Sequence, residues 1–349
     1  MEKIRLGVIF GGQSSEYSVS LHSAASVLRS IHTDRYEVVM IGITLQGGFY
    51  HYTGSIDDLE HDHWQNEEHA KPIAWVHGGM VERETNEMIS LDCCLPILHG
   101  KNGEDGAIQG LLTLLGIPCV GCDLLGSAVC MDKEVMHRLF DQANIPAAPY
   151  ICLHGEDPLM SADEVEKIIP LPWFIKPCNA GSSYGVHYVD NKEEYEQAVA
   201  DAFKYDGRKK VLVEGAIDGF EIGCAVLGDE ALVTGEIDEI EMAGKIFDFA
   251  GKYEMKDSAI YCPARIKKEK SDAAKELAKK VFRVLCCRDM ARVDMFINEK
   301  GEILVNEVNT IPGFTATSRY PSMMNAAGTE FGDLIDTLID LAMQKEIQL

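Results

Sequence analysis

No apolar run in the 349 residues approaches the ~20 that a membrane-spanning helix requires, so a membrane role is not expected. The opening MEKIRLGVIF runs straight into GGQSSE. It lacks the long apolar region and small-residue cleavage site of a signal peptide, and a cytoplasmic location is expected. Positive charge is scarce. The 32 basic and 56 acidic residues leave a net charge of −24, which repels a phosphate backbone and argues against a nucleic-acid partner. Two common nucleotide fingerprints, Walker A and GxGxxG, are missing, as are internal repeats and low-complexity tracts. Cysteine is plentiful, with eleven residues. Their odd number and irregular spacing fit reduced thiols of a cytosolic protein better than a disulfide framework. Cys119 and Cys122 form a CxxC, yet no second pair completes a zinc site and the neighbours are apolar, so both read as small buried residues. His61 and His63 read as a solvated loop, because nothing nearby fixes ligand geometry.

The remaining composition is that of an ordinary globular chain, 46% hydrophobic and 25% charged, with length for two or three domains. IRLGVIFGG (4–12) reads as a strand ending in glycines, and SVSLHSAASVLRSI (18–31) has helical spacing. Strands at 36–44 and 92–100 and a helix at 106–116 continue the alternation, which implies a parallel sheet with helices on its faces. After 122 the pattern shifts to a smaller α+β unit. It has a helix from Met131 to Ala143, strands at 171–177, 185–190 and 210–217, and a helix at 191–206. A lysine-rich helix from Ser271 to Leu285 then leads to a hairpin, ARVDMFINEKGEILVNEVNTIPGF, at 291–314.

That hairpin carries the chemistry. Side chains alternate along a strand, so Arg292 and Asp294 share a face, as do Val305, Glu307 and Asn309. A four-residue loop at 298–301 would set Arg292 opposite Glu307 with Asp294 diagonal to it. Acids crowded together repel unless a cation holds them, and hard oxygen ligands suit Mg²⁺ bridging phosphates. The blander reading is a solvated strand pair with Arg–Glu support. The polar run into the Pro-Gly turn of NTIPGF weighs against it. FIKPCNAGSSYGV (174–186) supplies a second element, Lys176 at a strand end before a Gly/Ser loop whose donors can wrap phosphate oxygens. In GGQSSEYSVS, Glu16 at a helix start would oppose a phosphate and suits an ammonium group, although a helix-dipole role is equally open.

These stretches, with LHGKNGEDG, MDK, VEGAIDGFEIG and GKY in the same order, resemble the D-alanine–D-alanine ligase family of ATP-grasp enzymes over essentially the whole chain. Within it the chain is most similar to the vancomycin-resistance D-Ala–D-Ser ligases of the VanG type. The resemblance implies an α/β plus α+β ATP-grasp fold with a parallel-sheet N-terminal domain at 1–121. Subdomains at 122–214 and 215–349 would hold ATP between two antiparallel sheets. It implies that Lys133, Lys176 and Ser183 contact the phosphates, Glu214 the adenine side and Glu221 the ribose. Asp294, Glu307 and Asn309 would bind two Mg²⁺ ions, with Mn²⁺ able to substitute. Glu16 would take the ammonium of the first D-alanine in a network with Ser182 and Tyr253, while Arg292 and the Gly313 N–H form an oxyanion hole. His99 and Glu104 would border the site, and Lys252 and Ser318 would reach the carboxylate of the second substrate.

The family chemistry explains these residue types. A free carboxylate is a poor electrophile, so D-alanine first takes the γ-phosphoryl of ATP, and the amine of the second amino acid then attacks the acyl phosphate. Residues 243–262 are expected to form a lid that keeps water off this intermediate. Tyr253 stands where D-Ala–D-lactate enzymes carry histidine, and Arg319 where D-serine ligases carry an arginine able to donate to a serine hydroxyl. D-alanine and D-serine are therefore the expected substrates, D-Ala–D-Ala synthesis the alternative, and a homodimer the expected assembly. Thr317, in place of a usual histidine, and Gly251 depart from the family pattern.

Overall fold

A computed structural model of the chain describes residues 3–181, 184–242 and 258–344. The alternation read at the start of the sequence builds β1 (Ile4–Gly11), β2 (Tyr36–Ile43), β3 (Phe49–Tyr52), β4 (Ala70–Val76), β5 (Gly79–Glu82), β6 (Met88–Ser90) and β7 (Cys93–Pro96). They form one seven-stranded sheet in the order β6-β5-β4-β3-β2-β1-β7. Its parallel part is β2-β1-β7. The strands from β3 to β6 extend it as antiparallel hairpins that the alternation did not signal. β1 is buried almost throughout, which is why it reads as a continuous apolar run rather than an alternating one.

The Tyr17–Ser30 helix follows β1 and is fixed at its start by a buried phenol. Tyr17 Oη donates to Asp62 at 2.7 Å and accepts from Trp64 Nε1 at 2.8 Å and Gln65 at 2.9 Å. Trp64 is wholly buried and packs edge-on against Phe10, with ring centroids 5.0 Å apart. This cluster fixes the residue next to Glu16, so the core decides where that acid points.

The second sheet comprises β8 (Tyr150–His154), β9 (Trp173–Pro177), β10 (His187–Val189) and β11 (Lys210–Gly215), in the order β10-β9-β11-β8, all antiparallel. One face, carrying Val211, Val213, Ile175 and Trp173, closes a core with the Tyr195–Tyr205 helix. The stretch read as a single helix from Met131 is divided between two, Leu124–Met131 and Lys133–Ala143. Asp132 has ψ 100, breaks the first helix and caps the second by accepting from Val135 N at 3.2 Å. Lys133 thereby becomes the first residue of a helix.

The third sheet is built from β12 (Gly219–Gly228), β13 (Leu232–Thr234), β14 (Asp238–Met242), β15 (Ser258–Tyr261), β16 (Asp289–Asn298) and β17 (Ile303–Asn309). Its order is β15-β14-β12-β16-β17, with β13 on β12. The Lys268–Val284 helix covers it on one side through Ala274, Ala278, Val281 and Phe282, which meet Val293, Met295 and Val305 in one core. Among the described residues no helix is long and apolar enough to cross a membrane. All eleven cysteines are free thiols, as expected.

Candidate active site

The β16–β17 hairpin gathers its polar residues by a different register from the one anticipated. Asn298 pairs back to Glu302 through N–H···O contacts of 3.0 Å and 2.8 Å, so the loop is three residues long, with Gly301 at φ 77 where a side chain would be strained. Ile297 then lies opposite Ile303 rather than Glu302. A β-bulge between Met295 and Asp294 admits Asn306 as an extra residue, after which Asp294 faces Glu307 and Arg292 faces Asn309. Two corrections follow. Arg292 is not opposite Glu307, and Val305 does not share the face of Glu307 but packs into the core beside Met295. The outcome for the site is preserved, because the bulge changes the parity of the strand before Glu307.

Around Asp294 the charges interlock. Arg292 Nε donates to Asp294 Oδ1 at 2.8 Å and its Nη2 to Oδ2 at 2.7 Å, while Asn309 Nδ2 donates to Oδ2 at 2.8 Å. Arg319 Nη1 approaches the same carboxylate at 3.4 Å. Arg319 also gives Nε and Nη2 to the two oxygens of Asp238 at 2.7 and 2.9 Å, and Nη1 to Glu221 at 2.8 Å. Burial works against the charge of Arg319, and Asp238, Asp294 and Glu221 more than offset it. Such a buried cluster holds together only while each charge keeps its partners. Each of the three Arg319 nitrogens bonds a carboxylate while the side chain still borders the cleft, and its donor role toward a substrate hydroxyl stays a proposal. Asp238, which makes this possible, gave no sign in the sequence beyond being one acid among many.

The cleft beside this cluster measures about 1050 Å³ and is bordered by every anticipated site residue that the structure describes. Ser182, Ser183, Gly251, Lys252, Tyr253 and residues 243–257 of the expected lid 243–262 lie outside the described residues, and Ser258–Tyr261 of that stretch forms β15. Lys176, from β9, forms an ion pair with Glu214 and reaches Asn306 Oδ1 at 3.4 Å. Lys133 donates to Ala180 O at 3.1 Å, at the entrance to the Gly/Ser loop. His137 Nε2 lies 2.6 Å from Glu214 Oε1. Burial alone would raise the Glu214 carboxyl, but Lys176 and His137 hold it down to about 2. His137 completes this pair from the Lys133–Ala143 helix, and only its i+4 position from Lys133 could have hinted at it.

Across the cleft, Glu16 is buried at the start of the Tyr17–Ser30 helix, and a Cβ added to Gly100 would come within 2.5 Å of its Oε2. Glycine at 100 is thus a condition for the carboxylate's position. Glu104 accepts from Gly100 N at 2.8 Å and from Ile311 N at 3.3 Å, tying LHGKNGEDG to the segment after β17. His99 bridges the same two regions, with Nδ1 3.1 Å from Ile311 O and Nε2 3.2 Å from Ser23 Oγ. Burial lowers the His99 pKa, so the neutral ring donates from Nδ1 and accepts from Ser23. Gly313 and Ser318 meet at the far end, where Ser318 Oγ accepts from Thr315 N at 3.1 Å.

Burial and the neighbouring Glu16 push the Glu104 carboxyl up to about 8 from its ordinary 4.5. Between those values the unfolded chain gives up a proton that the folded chain keeps, so stability falls as pH rises across that window and levels off above it. The Glu104→Gln variant is expected to flatten that part of a melting-temperature curve against pH. An unchanged slope would contradict the assignment.

The family described as D-ala D-ala ligase N-terminus matches residues 5–122, and that described as D-ala D-ala ligase C-terminus matches residues 139–340. The chain is 40% identical over 348 residues to the D-alanine–D-alanine ligase of Clostridium acetobutylicum, covering 98% of this chain and 99% of that one. It is 42% identical over 352 residues to the vancomycin B-type resistance protein VanB of Enterococcus faecalis, covering 99% and 100%. Among solved structures, the VanG D-Ala:D-Ser ligase from Enterococcus faecalis superimposes with a TM-score of 0.91 at 43% identity, covering 98% and 100%. The D-alanine–D-alanine ligase from Coxiella burnetii gives 0.88 at 32%, covering 99% and 95%.

Proposed function

This chain belongs to the D-alanine–D-alanine ligase family of ATP-grasp enzymes, and from that premise we propose that it joins D-alanine to D-serine through an acyl phosphate formed with ATP. Members of the family serve peptidoglycan synthesis and, in the Van proteins, vancomycin resistance. The observation that carries the ligase reading is the convergence of Asp294, Glu307 and Asn309 with Lys133 and Lys176 on one cleft. We divide the chain for this purpose into a first-substrate domain at 1–121, a central subdomain at 122–214 and a C-terminal subdomain at 215–349.

The donor set fits a hard divalent ion. Asp294, Glu307 and Asn309 offer only oxygen ligands, and Asp294 would share its carboxylate between the ion and Arg292 and Arg319. These three residues would hold Mg²⁺, which supplies charge neutralisation at the phosphates when bound. Lys133, Lys176 and Ser183 would grip the phosphates, with Glu214 on the adenine side and Glu221 on the ribose. Glu16, with Ser182 and Tyr253, receives the ammonium of the first D-alanine and fixes its carboxylate for phosphoryl transfer. Arg292 and the Gly313 N–H then stabilise the oxyanion that forms when the second amine attacks. Lys252 and Ser318 orient that second substrate by its carboxylate, beside the His99–Glu104 wall.

Likeness over the full chain to the VanG D-Ala:D-Ser ligase supports D-serine as acceptor. D-alanine as acceptor is the second reading, favoured by the engagement of Arg319 with Asp238 and Glu221. Competition decides between them. With ATP, Mg²⁺, D-alanine and equimolar D-serine, mass spectrometry is expected to show D-Ala–D-Ser as the main product. A predominance of D-Ala–D-Ala would establish the second reading.

A further inference from the structure

β8 and the end of β9 bring two thiols and an imidazole to a buried carboxylate, none of them among the residues that border the cleft. Cys152 and His154 stand two apart on β8 and so point to one face. Glu134 reaches that face from the Lys133–Ala143 helix, and one ligand atom from each of the three lies within 4.8 Å of the others. Cys178, the residue after β9, sets its Sγ 3.9 Å from Cys152 Sγ, and both thiols are free. His154 Nε2 lies 3.2 Å from Glu134 Oε1. These two separations are close to those of a tetrahedral zinc centre. With bonds of about 2.3 Å to sulfur and about 2.0–2.1 Å to nitrogen or oxygen, such a centre has an S···S edge of about 3.8 Å and an N···O edge of about 3.3 Å. The carboxylate is also held in place. Lys210, opposite His154 on β11, donates to Glu134 Oε2 at 2.9 Å and to Asp132 Oδ2, which leaves Glu134 Oε1 turned to His154.

We propose that Glu134, Cys152, His154 and Cys178 form a structural site for a borderline-soft divalent ion, Zn²⁺ by preference. The donor set selects the ion. Two sulfurs and an imidazole are poor ligands for Mg²⁺, which takes oxygen in octahedral geometry, and good ones for Zn²⁺. An ion pair alone accounts for His154 beside Glu134, but not for two thiols meeting there from separate strands. On binding, both thiols release their protons to solvent and bond the metal as thiolates. The filled site then carries one net negative charge, which the Lys210 ammonium offsets. The Cys152 contact and burial push the Cys178 thiol pKa up, so the ion has to displace that proton and binding tightens as pH rises. Arg138, which also bonds Glu134 Oε1 but is 67% exposed, turns out to solvent as the ion enters, and the 30% exposed His154 marks the way in. The bound ion ties the helix that starts at Lys133 to β8 and to the end of β9.

The test is titration of Co²⁺, a spectroscopic substitute for Zn²⁺, into the full chain kept reduced with a phosphine. Excess Mg²⁺ is present to fill oxygen-only sites. One equivalent of Co²⁺ is expected to produce the near-ultraviolet thiolate-to-cobalt band with the visible absorption of a tetrahedral centre, and one equivalent of Zn²⁺ to abolish both. Cys152→Ser is expected to lose the spectrum, and Cys178→Ser to keep about half of the thiolate band, one of two sulfurs remaining. His154→Ala should weaken Co²⁺ binding by more than the roughly tenfold that losing a supporting hydrogen bond costs a metal site. Cys130→Ser, which alters the other close thiol pair, Cys130 and Cys287 at 3.6 Å, should leave the spectrum intact. If Cys152→Ser does not fold, Cys178→Ser and the more exposed His154→Ala decide. The inference is overturned if no thiolate band appears, if the band survives Cys152→Ser, if Cys178→Ser retains it at full intensity, or if it is lost in Cys130→Ser.

Discussion

Replacing Asp294 by asparagine is expected to lower kcat for ATP-dependent peptide formation about a thousandfold, the loss of roughly 4 kcal/mol of charge stabilisation at the transferring phosphoryl group. The substitution is nearly isosteric and keeps one oxygen facing Arg292, so the effect reports charge rather than shape. It also costs stability. Arg292 and Arg319 both lean on Asp294, and each disfavours the other's charge. Removing the acid leaves two buried guanidinium groups with less compensation, worth about 3 kcal/mol. Steady-state kinetics well below the melting temperature separate the two effects. A variant that is less stable yet within about tenfold of parental kcat would show that this carboxylate serves the fold and not the reaction.

Arg292→Met is expected to reduce kcat by about a hundred- to a thousandfold, as one oxyanion donor is lost, with little change in ATP affinity. Its stability cost arises from the same pair seen from the other side, since among the described residues Asp294 keeps Asn309 and the more distant Arg319. The double variant Arg292→Met/Asp294→Asn separates structure from catalysis. Its melting temperature should lie above the sum of the single losses, because neither charge is stranded, while its activity should stay as low as that of the worse single variant. Additive losses in stability would mean that the bidentate contact between Arg292 and Asp294 contributes little to the folded state.

The sequence carried the polar content of the site better than its geometry. Lys176 before a Gly/Ser loop and the acids of the hairpin were visible because residue type and spacing point to phosphate and divalent-ion chemistry. The register was not visible, since loop length and a bulge each change parity by one and neither Asn298 nor Asn306 announces its role. β3 to β6 escaped notice for a different reason. Three of these four strands are only three or four residues long, too short for an alternation to stand out. The break at Asp132 was legible in principle, as an acid able to cap three residues ahead, but the apolar spacing on either side masks it. His137, Lys210 and Asp238 owe their importance to partners 77, 78 and 81 positions away in the chain. Local pattern cannot reveal such contacts. Arg319 shows the opposite limit: the residue type was informative, while its direction was set by Asp238 and Glu221.

The claim on which everything else depends is that this cleft activates a carboxylate by phosphoryl transfer before an amine attacks it. The most direct measurement supplies D-alanine with heavy oxygen in its carboxylate, together with ATP, Mg²⁺ and D-serine, and follows the label into released phosphate by mass spectrometry. Transfer of one carboxylate oxygen to phosphate, in step with dipeptide formation, is the predicted result. Unlabelled phosphate, or ADP released at the same rate without D-alanine, would contradict it.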